Sequence, residues 1–388
     1  MNRAFLIIGA GFAGAVMARE LSERLGAQVT VVDGRDHVAG NCHTERDPET
    51  GVMVHRYGPH IFNTNSERAW DYVQRFATMR PYINRVKAVI GRGVFSMPIN
   101  LHTINQFYGT RFTPAEAAEF VAKLGDRSIS EPQNFEEQAL KFLGRDLYEA
   151  FFYGYTKKQW GVEPRELPAS ILKRLPVRFN YDDNYYNCRY QGVPEQGYTA
   201  LIQGILDHPC IQIELGKNIT ASEAQAGNYD HIFWTGPIDS FFDEVDGALG
   251  YRTVYWQEER GEGDLLGNAV INYPEAHIPW TRKVEHKHFA PWEDHEQTLV
   301  FTEFSKATAA GDIPYYPLGL APDKQRFAAY AARAQAQSRV SFMGRLGTYR
   351  YLNMDQVILD TLEFADTVIC AIKEQRPLPA LPASITSR

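Results

Sequence analysis

The chain has 388 residues, enough for two or three domains, and its 44% hydrophobic and 22% charged residues are typical of a globular protein. A formal net charge of -7 argues against a broad basic surface for nucleic acid, no apolar run reaches the roughly 18 residues of a membrane span, and the four cysteines form no C-x-x-C motif. We therefore expect a cytoplasmic protein with free thiols, no metal ion, no nucleic-acid partner and no membrane span.

The first segment of the chain, residues 4–33, predicts a dinucleotide-binding unit. An apolar strand, a glycine-rich turn, a helix and a second apolar strand follow one another there. Gly9 permits the tight turn, Gly11 lets the backbone approach a pyrophosphate, and Gly14 lets the helix and strand pack closely. The helix N-terminus offers free N–H groups to that pyrophosphate, and Asp33 can accept hydrogen bonds from a ribose. The pattern predicts nucleotide binding but does not separate FAD from NAD.

The rest of the chain alternates between helical and strand-like patterns. Residues 100–165 have helical periodicity and predict a helical insertion. Strand-like runs follow within 211–235 and 251–304. The last 50 residues return to a short strand and a long helix that begins near Met354, and the residues from Pro377 onward look like a frayed tail.

Aromatic residues make up 13% of the chain and are dense in two segments. Tyr148, Phe151 and Tyr155 recur at helical spacing, which more often marks a core-facing helix surface than a ligand platform. Trp160, just beyond that helix, is the better candidate for stacking on a base or sugar. The run at 180–186 combines flat rings with hydroxyl groups and suits a nucleotide or sugar phosphate, but an exposed loop with locally packed tyrosines fits it equally well.

Two arginines are candidates for binding phosphate, because a guanidinium group can form paired hydrogen bonds to phosphate oxygens. Arg174 lies in a segment bracketed by prolines, and Arg282 follows the run IPWT. Position alone does not distinguish them from solvated surface arginines. The chain has neither an H-E-x-x-H nor a G-x-S-x-G motif, so the common metalloprotease and hydrolase mechanisms are not indicated.

Long segments of the chain resemble the UDP-galactopyranose mutase family of flavoenzymes. The similarity extends over nearly the whole length and is specific, because the shared strings are long and compositionally unusual. The segments are GAGFAGAV at 9–16, RDHVAGN at 35–41, YGPHIF at 57–62, SMPINLHTINQFY at 96–108, GYTKKQWG at 154–161, LPASILKRLPVRFNYDDNYY at 167–186, IPYYP at 313–317 and GRLGTYRYLNMD at 344–355.

The resemblance implies an α/β fold, in which a Rossmann-type FAD-binding domain is interrupted by a helical domain and an antiparallel β-sheet domain. The block pattern described above agrees with it. The expected boundaries are 1–80, 190–245 and 335–388 for the FAD-binding domain, 100–165 for the helical domain, and 80–99, 166–189 and 246–334 for the sheet and substrate domain, with a mobile loop at about 167–177.

The resemblance also implies that the dinucleotide is FAD. A helix that begins near Asn353 would direct its positive end toward the flavin, which favours an anionic reduced flavin. The expected FAD-binding residues are Gly9, Gly11, Phe12, Ala13, Gly14, Asp33, Gly40, Asn41, His60, Ile61, Ile219, Arg345, Leu352, Asn353 and Met354.

The implied reaction interconverts UDP-galactopyranose and UDP-galactofuranose without net oxidation. N5 of the reduced flavin attacks the anomeric carbon, and UDP leaves and later returns. Because UDP carries developing negative charge, Arg174 and Arg282 are expected to be catalytic, together with His60. The resemblance further implies a homodimer, and we expect NAD(P)H or another reductant. The expected substrate-binding residues are Asn84, Phe151, Tyr155, Thr156, Trp160, Tyr181, Tyr185, Arg252, Asn272, Tyr316 and Tyr351.

Three positions depart from the usual family pattern. Ala39 replaces a glycine, Asn63 replaces a histidine expected near the flavin, and Asn353 replaces an aspartate. These changes leave open a related substrate, such as a dTDP-6-deoxyhexose or UDP-N-acetylgalactosamine. Two other hypotheses remain. One is a conventional FAD oxidoreductase such as an amine oxidase, and the other is a nucleotide-sugar-binding protein without catalysis.

Overall fold

The structure is a computed structural model that describes residues 3–169, 171 and 177–386. Four β-sheets and three hydrophobic clusters lie in this part of the chain. Arg174 and the central part of the expected mobile loop lie outside the described residues. No helix in the described part is long and apolar enough to cross a membrane.

The strands are short except for two long ones in the second half of the chain. They are β1 (Ala4–Ile8), β2 (Gln28–Val32), β3 (Thr44–Arg46), β4 (Met53–His55), β5 (Phe62–Thr64), β6 (Met79–Pro81), β7 (Val86–Ile90), β8 (Gly93–Met97), β9 (Tyr190–Pro194), β10 (Ile211–Glu214), β11 (His231–Trp234), β12 (Tyr251–Glu262), β13 (Val270–Asn272), β14 (Arg282–Glu285), β15 (Gln297–Ala307), β16 (Tyr316–Pro317) and β17 (Val340–Phe342).

The helices include the expected long one near the end of the chain. They are α1 (Phe12–Leu25), α2 (Glu67–Gln74), α3 (Leu101–Tyr108), α4 (Pro114–Leu124), α5 (Phe135–Leu143), α6 (Arg145–Tyr148), α7 (Gly154–Trp160), α8 (Gly197–Leu206), α9 (Ala221–Ala226), α10 (Ile238–Phe241), α11 (Ala321–Gln335), α12 (Gly344–Gly347), α13 (Met354–Lys373) and α14 (Ala383–Thr386).

The first large sheet, ordered β10-β2-β1-β11-β17, is parallel throughout. Its central strand β1 is buried on both faces, which explains its unbroken apolar sequence. Phe5 and Ile7 pack in one cluster with α1, α8 and α13, whereas Leu6 packs in another with α11. The N-terminal pattern is therefore confirmed as a Rossmann-type α/β unit.

The second large sheet, ordered β16-β12-β15-β14-β13-β7-β8, was expected to be antiparallel. All its neighbouring pairs are antiparallel except β7 and β13, which are parallel. Helices α3 to α6 share a hydrophobic cluster with this sheet, in which Phe95 and Phe301 pack together with Leu147. The fold class is thus α/β with a helical part and a mainly antiparallel sheet, while the domain boundaries stay predictions.

Two helix starts follow their capping signals. Thr113 caps α4 through a capping box with Glu116, and proline occupies the first turn. Asn353 is the N-cap residue of α13, and Gln356 Oε1 accepts a hydrogen bond from its backbone N–H at 2.9 Å, so the long C-terminal helix begins where the sequence predicts it.

The expected frayed tail from Pro377 onward is wrong. Leu381 is only 3% exposed and packs in the cluster beneath the parallel sheet. The carbonyl of Ala380 accepts a hydrogen bond from the N–H of Phe342 at 2.8 Å, and that of Pro379 accepts one from Ser341 Oγ at 2.6 Å. The tail is held by contacts to β17, which local composition cannot reveal.

The helical stretch that carries Tyr155 differs in detail from the expected continuous helix. A π-helical turn, Glu149–Tyr153, interrupts it before α7. Trp160 is the last residue of α7, not a residue beyond it, and Gly161 ends the helix with a φ of 69°. The correction places Tyr155 and Trp160 on the same short helix.

Candidate active site

The turn between β1 and α1 is as compact as the glycine pattern predicts. Gly9 has a φ of 106°, and a Cβ at Gly14 would lie 1.9 Å from the carbonyl oxygen of Gly9. Asp33 holds this turn from the next strand, since its carboxylate accepts hydrogen bonds from the N–H groups of Ala10 at 2.8 Å and Arg35 at 2.9 Å. Asp33 therefore fixes the turn as well, a role that its position in the sequence does not indicate.

A second close backbone approach lies beside this turn. A Cβ at Gly40 would lie 3.4 Å from the Cα of Gly11, so the two glycines face each other. Arg35 Nη2 donates to Asn41 Oδ1 at 2.7 Å, and its Nη1 is buried without a hydrogen-bond partner among the described residues. Ala39 has a φ of 77°, so its replacement of the usual glycine is strained by roughly 1 kcal/mol.

The first turn of α1 adjoins the segment around Arg345. Phe12 and Ala13 are buried at the start of that helix. A Cβ at Gly344 would lie only 2.9 Å from the Cβ of Ala13, so α12 lies directly against the N-terminus of α1. Two expected parts of the FAD site, separated by more than 300 residues in sequence, are therefore adjacent in space.

The other expected FAD residues are spread more widely. Leu352 and Met354 pack against the cluster that contains α1, and Asn353 lies between them as the cap of α13. Ile61 is buried in the cluster of the second sheet. Ile219 packs on the opposite face of the parallel sheet, with the cluster that contains Leu6.

Arg345, just after β17 of the first large sheet, lies near His60 and binds the segment just before β16 of the second large sheet, so the two sheets join here. Arg345 Nη2 donates to the carbonyl of Tyr315 at 2.9 Å, and its Nε is buried without a partner in the described chain. His60 Nδ1 donates to the carbonyl of Gly58 at 2.6 Å, which leaves Nε2 as an acceptor. Burial lowers the pKa of His60 to about 4, and the nearby charges of Arg345 and Arg282 act in the same direction. The imidazole is therefore neutral at pH 7.

Arg282 is held in place by a buried carboxylate. Its Nε and Nη2 donate to Glu303 Oε2 at 2.9 and 2.6 Å, and Glu303 Oε1 accepts from Thr281 Oγ1 at 2.7 Å. Burial is the largest single influence and lowers the pKa of Arg282. The charge of Glu303, its hydrogen bond and the nearby phenols of Tyr155 and Tyr316 together raise the pKa more, so the net pKa lies above its usual range. The guanidinium is thus charged and fixed in orientation.

Aromatic rings surround these arginines. The ring centroids of Trp160, Tyr316 and Tyr351 lie 5.4–6.4 Å from one another. The guanidinium of Arg345 lies 5.5 Å from the ring centroid of Tyr316 and 5.1 Å from that of Tyr351. The structure therefore brings together side chains from α7, β16 and the segment before α13, as the predicted site requires.

Three phenol groups of this cluster stay protonated. Burial raises the pKa of Tyr155, Tyr185 and Tyr316, and the charge of Arg282 only partly opposes that rise. Neutral phenols can donate hydrogen bonds to anionic oxygens, whereas phenolates would repel them. Arg282 lies close enough to all three phenols for its positive charge to lower their pKa values.

Three expected substrate residues have different surroundings. Phe151 packs against Phe95 and Phe107, with ring centroids 5.4 and 5.5 Å away, which agrees with the core-facing alternative. Thr156 is buried on α7. Tyr181 is 68% exposed on a loop.

Polar candidates near the second sheet also take distinct roles. Asn272 is paired with Arg282 across β13 and β14, and Asn84 is buried with its carbonyl bonded to the N–H of Tyr185 at 2.8 Å. The guanidinium of Arg252 binds the end of α7, because it donates to the carbonyls of Gln159 at 3.0 Å and Lys158 at 3.2 Å. Arg252 therefore holds the helix that carries Trp160.

Sequence reasoning missed two charged residues of this region. Glu303 lies within a strand-like run, where a charge among buried strand residues is the signal for a paired cation. Lys158 lay inside GYTKKQWG beside a second lysine, and nothing local distinguished the two. Both are defined by partners far away in sequence.

The arrangement offers two neighbouring regions that can bind phosphate groups. The dinucleotide turn offers backbone N–H groups and Arg35, and the junction with the second sheet offers Arg345, Arg282 and neutral tyrosines. Arg282 and Arg345 are both near enough to His60 and Tyr316 to lower the pKa of each, so both arginines lie at this junction. A dinucleotide and a second phosphate-bearing molecule could therefore meet there.

Family models and a solved structure both match this chain. A family model described as UDP-galactopyranose mutase matches residues 150–351, and one described as an NAD(P)-binding Rossmann-like domain matches residues 7–76. A crystal structure of reduced UDP-galactopyranose mutase superposes with a TM-score of 0.75 at 16% identity, covering 99% of this chain and 100% of that chain. That structural likeness supports the fold.

Two curated relatives match almost the full length. A probable UDP-galactopyranose mutase of Klebsiella pneumoniae is 50% identical over 384 residues, covering 99% of each chain. A dTDP-fucopyranose mutase of Escherichia coli is 48% identical over 379 residues, covering 96% of this chain and 100% of the relative. With this identity and coverage, the chain belongs to the UDP-galactopyranose mutase family of enzymes.

Proposed function

We propose that this chain binds FAD and, with the flavin reduced, interconverts UDP-galactopyranose and UDP-galactofuranose. Membership of the family implies a flavin cofactor and a nucleotide-sugar substrate. The observation that carries the finer proposal is the convergence of Arg282 with three neutral tyrosines beside Arg345, next to the dinucleotide turn. An anionic nucleotide sugar would be held there against a flavin.

The residues of the dinucleotide unit fit FAD. Gly11 and Gly40 leave a backbone surface without side chains, and buried nitrogens of Arg35 and Arg345 have no partner among the described residues. Such buried donors are costly unless a ligand satisfies them. When bound and reduced, the flavin supplies an electron-rich nitrogen that can act as a nucleophile at a sugar carbon.

The residues of this chain then bind and restrain the leaving nucleotide. Arg282 presents a fixed charge, because Glu303 holds its Nε and Nη2. Tyr155, Tyr185 and Tyr316 can donate hydrogen bonds to the diphosphate as neutral phenols. Arg174, which the family resemblance assigns to the same diphosphate, would supply a second positive charge.

His60 has a different part in this proposal. Its neutral ring donates from Nδ1 to the carbonyl of Gly58 and keeps Nε2 as an acceptor, and both Arg345 and Arg282 are near enough to lower its pKa. It can therefore orient a hydroxyl or ring N–H group without adding charge to the site. A cationic imidazole there would compete with the arginines for the diphosphate.

A second candidate is the same reaction on a dTDP-linked 6-deoxyhexose. The two curated relatives at 50% and 48% identity carry different substrates in their names, so identity does not choose between them. Asn63, which replaces the usual histidine, lies on β5 and its amide donates to the carbonyl of Ile61 at 3.0 Å. A smaller, neutral side chain at this position would alter the space beside the sugar.

The deciding experiment is a substrate panel with dithionite-reduced enzyme. UDP-galactofuranose, dTDP-fucofuranose and the furanose form of UDP-N-acetylgalactosamine are offered separately, and pyranose formation is followed by chromatography. We expect turnover of at least one compound with the reduced enzyme. Equal turnover by oxidised enzyme would refute the flavin-nucleophile mechanism. Stoichiometric flavin reduction by an amine would indicate an oxidoreductase, and UDP binding without turnover would indicate a binding protein.

The supporting predictions concern reductant and assembly. We expect NAD(P)H to reduce the flavin slowly, which anaerobic absorbance spectra can measure, and a homodimer, which sedimentation can measure. A cytoplasmic location remains a prediction.

A further inference from the structure

A partly buried cation lies on the helix that carries Tyr155 and Trp160. The ammonium group of Lys158, on α7, is half-buried and is surrounded by backbone carbonyls of the loop that joins β13 to β14, here called the 273–280 loop. Four carbonyl oxygens accept hydrogen bonds from its Nζ at 2.5–3.0 Å, and they belong to Tyr273, Glu275, Ile278 and Trp280.

These bonds hold the loop in one conformation. An ammonium group has three N–H donors, so four carbonyls within reach must share them and each is drawn toward the same point. The base of the loop is closed by a hydrogen bond from the N–H of Tyr273 to the carbonyl of Thr281 at 2.9 Å. Without the cation, four carbonyl dipoles would face one another around an empty centre.

The loop also touches α7 one turn earlier. A Cβ at Gly154 would lie 2.3 Å from the carbonyl oxygen of Pro274, so the loop backbone packs directly on the helix there. Gly154 and Lys158 are four residues apart and therefore lie on the same side of α7. Two points of contact fix the loop against the helix, and only the one at Lys158 depends on charge.

The loop leads directly into the phosphate-binding candidate. Asn272 precedes it and Arg282 begins the strand just after it. On the opposite side, Arg252 and Ser305 bind the carbonyl of Gln159, at 3.0 and 2.8 Å, and so hold the end of α7. The end of α7 is thus held to β12 and β15, whereas Lys158 joins this helix to the loop that leads into Arg282.

We propose that Lys158 is a positioning residue: its ammonium group fixes the 273–280 loop and thereby sets Arg282 in register with Tyr155 and Trp160. This inference rests on the proposed function, because the register matters for a nucleotide diphosphate held between these side chains. A shift of about 1 Å in such a site can reduce turnover by up to a hundredfold.

The test compares Lys158→Met with Lys157→Met in the FAD-loaded enzyme. Methionine keeps the length of the side chain and removes its charge. Lys157 is the matched control, because it is on the same helix, is exposed and pairs with Glu163 at 2.5 Å. We expect Lys158→Met to lower kcat by roughly ten- to a hundredfold and to weaken UDP binding, with KM changing less than kcat and FAD content unchanged. Lys157→Met should stay within twofold of the parent.

A rescue experiment separates positioning from general stability. Lys158→Ala should recover part of its kcat when ethylammonium is added at millimolar concentration, since a free ammonium ion can occupy the ring of carbonyls. The proposal is overturned if ethylammonium gives no recovery and the variant has also lost FAD. It is likewise overturned if there is no recovery and the kcat and UDP affinity of the variant equal those of the Lys157→Met control.

The outcomes also separate this inference from the proposed function. If the parent enzyme turns over no nucleotide sugar, the proposed function fails, and the position of Arg282 is then judged by UDP binding alone. In that case Lys158→Met should still weaken UDP binding at least fivefold relative to Lys157→Met. Equal UDP affinities of the two variants would overturn the positioning role of Lys158.

Discussion

The two halves of the candidate site are built in different ways. The dinucleotide end is formed mostly by backbone, through glycines within a few residues of one another at the end of β1 and in the turn at 39–41. The sugar-phosphate end is formed by side chains from α7, β14, β16 and the segment around Tyr351, which are far apart in sequence. The first half is therefore readable locally, whereas the second exists only after folding.

The halves also differ in how they treat charge. Arg35 at the dinucleotide end keeps a buried nitrogen without a partner in the described chain, so this nitrogen is available to donate a hydrogen bond to a ligand. Arg282 at the other end is already paired with the buried Glu303. A paired arginine is oriented before substrate arrives, at the expense of part of its positive field. This difference predicts separable effects on cofactor and substrate binding.

The largest effect should come from Arg282→Ala. We expect turnover to fall by roughly a hundred- to a thousandfold while FAD stays bound, because the lost group acts on the leaving nucleotide. Glu303 would also be left buried and unpaired, costing about 3 kcal/mol of unfolding free energy. Steady-state kinetics, flavin absorbance and urea unfolding measure the three quantities.

A double variant controls for that loss of stability. Arg282→Met with Glu303→Gln should recover most of the unfolding free energy without recovering turnover. Recovery of turnover would show that the positive charge of Arg282 is not required for the reaction.

Arg174→Ala should likewise lose most of its activity and keep its flavin. Loss of flavin in either single variant would mean that the two halves of the site are not separable.

The next effect should appear at Gly11. In the structure a Cβ at this position would lie 4.0 Å from the nearest atom, the Cα of Gly40, so the apoprotein has room for it. A pyrophosphate against the same backbone would leave no room for this Cβ. We therefore expect Gly11→Ala to weaken FAD binding by roughly ten- to a hundredfold without lowering apoprotein stability. Flavin titration and thermal unfolding of the apoprotein test both points.

Gly14→Ala is the matched comparison. Its Cβ would lie 1.9 Å from the carbonyl oxygen of Gly9, so this variant should destabilise the fold as well as the cofactor site. If both variants lose stability equally, Gly11 is structural, and the assignment of the pyrophosphate to that backbone is wrong.

Acidification should affect buried histidines in both regions, and His60 and His231 serve as one example from each. Burial lowers the pKa of His60 to about 4 at the junction and that of His231 to about 4 within the parallel sheet. The unfolded chain binds a proton near pH 6.5, so stability is full above that pH and is lost as pH falls toward 4. From pH 7 to 5 each histidine should account for about 2 kcal/mol of lost unfolding free energy.

Urea unfolding of single variants checks this value. His60→Gln and His231→Gln should each reduce the difference between pH 7 and pH 5, whereas the exposed His102→Gln should leave it unchanged. An undiminished pH difference in both buried variants would contradict the assignment.

The smallest effect is expected at Asn63. We predict that Asn63→His changes the ratio of kcat/KM for UDP-galactofuranose and dTDP-fucofuranose by roughly fivefold, or about 1 kcal/mol, because the imidazole would alter the space beside the sugar. Competition between the two substrates in one reaction measures the ratio directly. An unchanged ratio would remove this position from substrate choice.

Sequence patterns predicted the parts of the fold that depend on neighbouring residues. Strand, glycine turn and helix at 4–25, the capped start of α4 at Thr113 and the start of α13 near Met354 are all confirmed. The prediction of a frayed tail after Pro377 was wrong, because hydrogen bonds to β17 hold this segment in place. The resemblance supplied the remaining site residues, whose roles stay predictions.

Local sequence patterns are enough to identify a Rossmann-type unit, because its turn needs glycine at fixed positions and its buried strands need unbroken apolar runs. The folded structure is needed to show that Glu303 holds Arg282, that four carbonyls surround Lys158, and that Phe151 lies in the core. Those facts depend on partners that approach across sheets and loops. Folding brings together charges and rings that no spacing along the chain connects.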